Sequence, residues 1–310
     1  MSDASARPLS RRQWLGQGVA FGTAATVGAT GWLGTGCTLA ADEDHSGADA
    51  PRAAALRARP RTAWVFSSGG PRGFVHVGVL KALDELKLKP DLIVGASVGA
   101  LVAVLYGSGL SAAEIEALAL DLGPTSLGQL AIGSSGGERF NGAPLAALVR
   151  RYSKLQLLEQ LPLPVACVAA IPEQGVVSFT AGDVGLAVQA SAAVEGRFTP
   201  VRIRGHRHVD ADRYCPLPVR EAQGLGALRV LAVDASAHED RAPESAQDYR
   251  AGDLRKRALT RPDAERADLL LHPDFGYWVS LTREFRERAI AAGYRDTLAQ
   301  ADRLRQLHAA

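Results

Sequence analysis

The chain has 310 residues, 47% of them hydrophobic and 22% charged, with 35 lysines and arginines against 33 aspartates and glutamates for a net charge of +2. That balance is globular, too apolar for a disordered chain and long enough for one large domain or two small ones. Nearly cancelling, interleaved charges exclude an electrostatic case for nucleic-acid binding, and three cysteines, Cys37, Cys167 and Cys215, supply neither a disulfide framework nor a cysteine-rich zinc set.

In chain order, Arg11-Arg12 precede a mildly apolar stretch from Leu15 to Leu33 that Gly and Thr interrupt repeatedly. Residues 1–40 therefore resemble a twin-arginine export signal; the alternative, an uncleaved membrane anchor, is weakened by the glycines. Gly34-Thr35-Gly36-Cys37 resembles a lipobox, which marks Cys37 for lipidation, and Thr38-Leu39-Ala40 offers ordinary cleavage as the competitor. Residues 41–60, rich in Asp, Ala and Arg without clear periodicity, are expected to form a flexible linker, leaving 61–310 as the folded domain.

Ala63-Trp64-Val65-Phe66 predicts a short buried strand, and Ser67-Ser68-Gly69-Gly70-Pro71-Arg72-Gly73 leads from it into a helix with apolar positions at Val75, Val79, Leu80, Leu83 and Leu86. A glycine-rich strand-to-helix turn points free N–H groups at an anion, although no Gly-Lys-Ser/Thr follows to make it a phosphate-binding loop. Asp91-Leu92-Ile93-Val94 predicts a second strand, which Gly95-Ala96-Ser97-Val98-Gly99 turns into a helix over Ala100 to Tyr106. Glycines two before and two after a serine permit a sharp turn with the serine exposed at its apex, beside a helix N-terminus that favours developing negative charge. Leu145 to Leu157 predicts a further helix, with Arg150, Arg151 and Lys154 on its surface. Leu228 to Asp234 predicts a late strand, and Asp240 to Asp268 a charged, exposed helical excursion.

The run from Gly69 to Leu110 resembles the start of a patatin-like phospholipase domain, and the likeness continues through Pro164–Val168, Gly182-Asp183, Ala187–Ala193, Phe198–Val201, His208–Asp212 and Pro216–Val219. The resemblance implies a three-layer α/β/α fold with a mainly parallel central sheet. It also implies a Ser97 nucleophile, Asp210 as base and proton acceptor, and an oxyanion hole from the loop containing Gly69, Gly70, Arg72 and Gly73. Chemically, a serine hydroxyl needs an adjacent base, and a partly desolvated carboxylate can be that base.

Two departures from the family pattern stand out: Asp210-Ala211-Asp212 replaces Asp-Gly-Gly/Ala, and Ser68 replaces the first loop glycine. Ala211 would be strained if its position required positive φ, and Asp212 would raise the pKa of a neighbouring carboxylate. Arg72 could hold a substrate phosphate or brace nearby carbonyls. A Ser-His-Asp triad using Asp210 or Asp234 with His238 or His272 is the rival chemistry; His238 otherwise reads as a solvated loop residue and His76 as structural. The expectation is an exported, periplasm-facing and membrane-tethered acyl hydrolase of lipid or phospholipid esters, working without metal or cofactor. A non-catalytic lipid-binding lipoprotein is the alternative.

Overall fold

The computed structural model describes residues 43–121 and 142–309, so the segment read as an export signal and Cys37 lie outside the described residues. The elements are β1 (Asp44–His45), β2 (Thr62–Phe66), α1 (Phe74–Glu85), β3 (Leu92–Ala96), α2 (Val98–Gly107), α3 (Ala112–Asp121), α4 (Ala143–Tyr152), β4 (Val165–Ile171), β5 (Gly175–Phe179), α5 (Val184–Ser191), β6 (Val201–Ile203), β7 (His206–Asp210), α6 (Val219–Gly224), β8 (Arg229–Val233), α7 (Gln247–Ala264), β9 (Leu269–Leu271), α8 (Arg283–Leu298) and α9 (Ala301–Ala309). Among the described residues no helix is long and apolar enough to cross a membrane.

The sheet runs β1-β6-β7-β4-β3-β2-β8-β9, with β5 paired to β4 beside this path. Its middle, from β4 through β3 and β2 to β8 and β9, is parallel, while β7 and β5 join β4 antiparallel. The central strands are continuous apolar runs because helices cover both faces. Alternate residues divide between these faces. Trp64, Phe66, Ile93, Cys167, Leu231 and Val233 belong to the cluster that takes in α1, α2 and α5, while Ala63, Val65, Leu92, Val94, Val168 and Ala232 pack with Leu217 and with Val219 and Ala222 of α6. The result is the expected α/β/α layering.

α1 and α8 cross so closely that two glycines are needed. A Cβ on Gly78 would stand 1.9 Å from the carbonyl oxygen of Ile290, and one on Gly293 2.2 Å from that of Val75. At the C-terminus, α9 docks through His308, which accepts the indole N–H of Trp64 at 3.0 Å.

Two expectations change. Residues 43–60 are not a free linker: β1 pairs with β6, Ala50 is buried, and Arg52 exchanges backbone hydrogen bonds with Thr180 and Ala181. Main-chain pairing holds this segment, so its polar composition does not reveal the docking. The helix expected over Leu145 to Leu157 ends at Tyr152, where Ser153 turns extended (ψ 131) and its hydroxyl donates to the Leu155 carbonyl at 2.5 Å.

Candidate active site

Strand β3 ends at Ala96, and Ser97 then adopts φ 55, ψ −120 before α2 begins at Val98. Positive φ at a non-glycine residue costs on the order of 1–3 kcal/mol and persists only where its surroundings impose it. Here they do. A Cβ on Gly95 would lie 2.4 Å from the Gly99 backbone, and one on Gly99 2.3 Å from the Phe66 carbonyl oxygen. Gly95 thus lets the start of α2 fold back tightly over the end of β3, and Gly99 lets the turn lie against the end of strand β2. The Ser97 amide donates to Ser191 Oγ at 2.9 Å, and the Ser191 hydroxyl donates to the Val168 carbonyl at 2.5 Å, so α5 and β4 brace the turn together.

Register brings Asp210 to the same point. One edge of β4 is occupied by β5; the other pairs with β3 up to Ala96↔Val168 and with β7 from Ala169↔Asp210. β3 is parallel to β4 and β7 antiparallel, so the two strands run head-on along one edge and their last residues meet. Ser97, one residue beyond Ala96, therefore lies beside Asp210 although 113 positions separate them; its Oγ–H donates to Asp210 Oδ2 at 2.7 Å. Asp210 Oδ1 accepts the Asp212 N–H at 2.7 Å. Both side chains are nearly out of solvent, with Asp210 3% and Ser97 7% exposed.

Burial is the main reason the Asp210 carboxyl is pushed up to about 7. The Asp212 charge adds to the rise, while the Ser97 and Asp212 hydrogen bonds and the Lys256 charge oppose it. A carboxylate poised near neutrality can take and return a proton. Ala211 carries none of the strain considered for it: it starts a 3₁₀ turn and is absent from the positive-φ residues of the described chain.

The glycine loop follows β2. Gly70, at φ +55, opens a 3₁₀ turn that continues through Pro71 to Gly73, and Gly73 abuts Val98, where an added Cβ would meet Cγ1 at 2.4 Å. This contact seats the loop against the residue after Ser97. The Arg72 amide is engaged within the loop, donating to the Gly69 carbonyl at 3.2 Å, whereas the Gly69 and Gly70 N–H groups find no acceptor among the described residues. The Arg72 guanidinium reaches the Tyr277 carbonyl at 3.4 Å, which is the bracing arrangement.

No hydrogen bond joins a histidine to Ser97 or Asp210 among the described residues. His76 is buried, with Nε2 3.0 Å from the Ser67 carbonyl, and desolvation pushes it down to about 4, so it is neutral. His208 packs on Phe179. His238 is half-buried and stacks on His272 with ring centroids 3.7 Å apart, which corrects the solvated-loop expectation. His272 Nε2 lies 3.1 Å from the Ser236 carbonyl, and Asp234 Oδ1 accepts the Ser236 N–H at 2.8 Å. Asp234, His238 and His272, offered for a triad, thus hold one another's loop.

Two site residues escaped sequence reasoning. Ser191 acts across 94 positions and sits among small apolar residues, so no periodicity marks it. Lys256 lies in the charged stretch read as an excursion, yet its ammonium reaches Asp212 Oδ1 at 2.5 Å and Ser68 Oγ at 3.0 Å.

The patatin-like phospholipase family model matches residues 64–222, slightly more than half of the chain, a span that contains Ser97, Ser191 and Asp210 but not Lys256. The chain belongs to the patatin-like phospholipase family. An uncharacterised NTE family protein of Mycobacterium tuberculosis is 32% identical over 195 residues, covering 61% of this chain and 54% of the relative. Human patatin-like phospholipase domain-containing protein 6 is 28% identical over 185 residues, 57% of this chain and 14% of that protein. A Neurospora crassa lysophospholipase is 26% identical over 198 residues, 61% of this chain and 13% of that protein. The chain thus spans about half the length of the mycobacterial relative and a small part of the others. Among solved structures, VipD of Legionella pneumophila aligns with TM-score 0.47 at 14% identity over 84% of this chain and 71% of that one. The type III effector ExoU aligns with TM-score 0.45 at 15% identity over 84% and 56%.

Proposed function

We propose that this patatin-like protein is a serine acyl hydrolase of lipid esters, with Ser97 as nucleophile and Asp210 as the group that takes its proton. The observation carrying the proposal is the 2.7 Å hydrogen bond from Ser97 Oγ to Asp210 Oδ2 in a nearly dry corner. As Oγ bonds to the ester carbonyl carbon, its proton passes to Asp210 and the carbonyl oxygen becomes an oxyanion facing the Gly69 and Gly70 N–H groups. The tetrahedral species collapses, breaking the bond to the leaving alcohol, which takes the proton back from Asp210. Water then gives a proton to Asp210, attacks the acyl-serine and releases the fatty acid while Ser97 recovers its hydrogen. The phospholipase and lysophospholipase names of the relatives support lipid esters as the substrate class.

Export and a lipid anchor at Cys37 complete the proposal, resting on the arginine pair and the small residues before that cysteine. The mass of the cell-derived protein tests them: cleavage before Cys37 with added diacylglycerol is expected, and a mature chain starting elsewhere without lipid removes the anchor.

Hydrolysis of short and long p-nitrophenyl esters by the purified protein tests the chemistry. Ser97→Ala and Asp210→Asn are expected to lose at least about 10³-fold in kcat while remaining folded. Fluorophosphonate should label the parent and not Ser97→Ala. Turnover surviving in Ser97→Ala would overturn the assignment, and its loss in a folded His238→Ala or His272→Ala would favour the triad.

A further inference from the structure

The Ser68 and Asp212 departures from the family pattern face each other across the site. Ser68 Oγ–H donates to Asp212 Oδ1 at 2.5 Å, and the Lys256 ammonium donates to the same oxygen at 2.5 Å, to Ser68 Oγ at 3.0 Å and to the Ser68 carbonyl at 3.3 Å. Each of the three sits on a different segment: Ser68 at the entrance to the glycine loop, Asp212 in the turn that carries Asp210, and Lys256 on α7. Ser68 is buried, and its own amide is fastened to the Pro216 carbonyl at 2.9 Å.

α7 holds the lysine in place from three sides. Arg220 of α6 grips the fully buried Asp263 through two nitrogens at 2.9–3.2 Å, Arg257 pairs with Glu239 at 2.8 Å, and the Tyr277 hydroxyl bonds Asp253. A lysine so placed reinforces the ties that the Ser68–Asp212 and Ser68–Pro216 hydrogen bonds already make between the glycine loop and the Asp210 turn.

We propose that Lys256 is a positioning residue for the hydrolytic site, clamping the glycine loop to the Asp210 turn through Ser68 and Asp212 and so fixing the donors relative to the proton acceptor. This rests on the reading of Ser97 and Asp210 given above. Asp212 links the clamp to the chemistry, because its N–H holds Asp210 Oδ1 while its carboxylate is held by Lys256 and Ser68. The charges acting on Asp210 are Asp212 from its own turn and Lys256 from α7. From the β3–α2 turn, the glycine loop and α5 come the hydroxyls of Ser97, Ser68 and Ser191, and His76 behind the loop is neutral. Lys256 therefore has an electrostatic signature as well as a geometric one: its loss leaves Asp212 uncompensated beside Asp210, which raises the pH at which Asp210 gives up its proton.

The test compares the parent with Lys256→Met, Lys256→Arg, Asp212→Asn and the double variant Lys256→Met/Asp212→Asn, each confirmed folded by circular dichroism. On a short p-nitrophenyl ester, Lys256→Met is expected to lower kcat by roughly 10²-fold, the scale of an ångström-sized misplacement, with a smaller change in KM. Its acid limb moves to higher pH, and Lys256→Arg recovers most of both effects. Asp212→Asn moves the limb lower, and the double variant returns it toward the parent while kcat stays depressed. Amide hydrogen exchange reads the clamp without turnover: in Lys256→Met, protection of the bonded amides of Ser68 and Arg72 in one loop and of Asp210 and Asp212 in the other is expected to fall together. Parent-like exchange in both loops, or parent-like kcat and acid limb in the folded Lys256→Met variant, overturns the clamp. Activity surviving in Ser97→Ala overturns the hydrolase reading instead, and in that case, or with an inactive parent, the exchange experiment alone decides the clamp.

Discussion

At the scale of single residues, the site's behaviour follows from one carboxylate kept from water. With Asp210 pushed up to about 7, ester turnover is expected to rise through that pH as the carboxylate form becomes available, which a kcat/KM profile from pH 5 to 9 checks. The same shift costs stability. From the ordinary 3.8 upward the unfolded chain releases this proton first, so the folded state loses stability as pH rises through about 7, and above that the full penalty remains. Asp210→Asn, which has no proton to lose, should therefore be more stable than the parent at pH 8 by on the order of 1–4 kcal/mol, with the gain shrinking toward pH 4. Denaturant melts at the two pH values check the sign. Ser191 shows the opposite dependence, on a hydrogen bond. Ser191→Ala leaves the buried Ser97 N–H without its acceptor and should cost about 1–3 kcal/mol and slow turnover, measurable by urea unfolding and ester kinetics.

At the scale of elements, strands and helices place these residues only because backbones approach unusually closely. Gly95 allows the serine turn to close on itself and Gly99 allows it to press on β2; Gly78 and Gly293 allow α1, which follows the glycine loop, to lie against α8. Gly78→Ala forces a Cβ into the Ile290 carbonyl and cannot be relieved by rotating a side chain, so a destabilisation of about 1–3 kcal/mol or more is expected from the shift of one helix against the other. A fall in urea midpoint with an unchanged m-value would show this; a parent-like midpoint would mean that the helix crossing accommodates a Cβ. These glycines divide sharply in legibility. The serine-turn pair is visible in sequence because its spacing is local. Gly78 and Gly293 belong to contacts across more than 200 positions, and neither helix's own pattern hints at the other.

At the scale of the whole molecule, the sheet gathers its outer strands through main-chain pairing, and residues 43–52 are part of that closure. β1 covers the edge of β6, Arg52 bridges to Ala181, and the Asp183 amide donates to the Asp49 carbonyl at 2.7 Å. A chain starting at residue 53 should melt roughly 2–8 °C below one starting at residue 43 and aggregate sooner, because the exposed β6 edge is free to pair. Differential scanning calorimetry at two protein concentrations checks both effects.

By itself the sequence determined the parts whose signals are local. The apolar runs at Ala63–Phe66 and Leu92–Val94 announce buried strands because both faces of such a strand meet helices, and the flanking glycines announce Ser97 because a strand-to-helix turn that sharp excludes Cβ atoms. Asp210 was selected by motif order rather than by any property of its own surroundings. Tertiary structure decided what depends on register and on distant partners. Strands β3 and β7 meet head-on along β4 to join Ser97 to Asp210, α5 contributes Ser191, and α7 carries Lys256 from a stretch whose charges suggested only solvent. Burial of Asp210, which raises its pKa and opposes its charge, is likewise a property of the assembled layers: desolvation depends on everything packed around a group, and no window of sequence contains those neighbours.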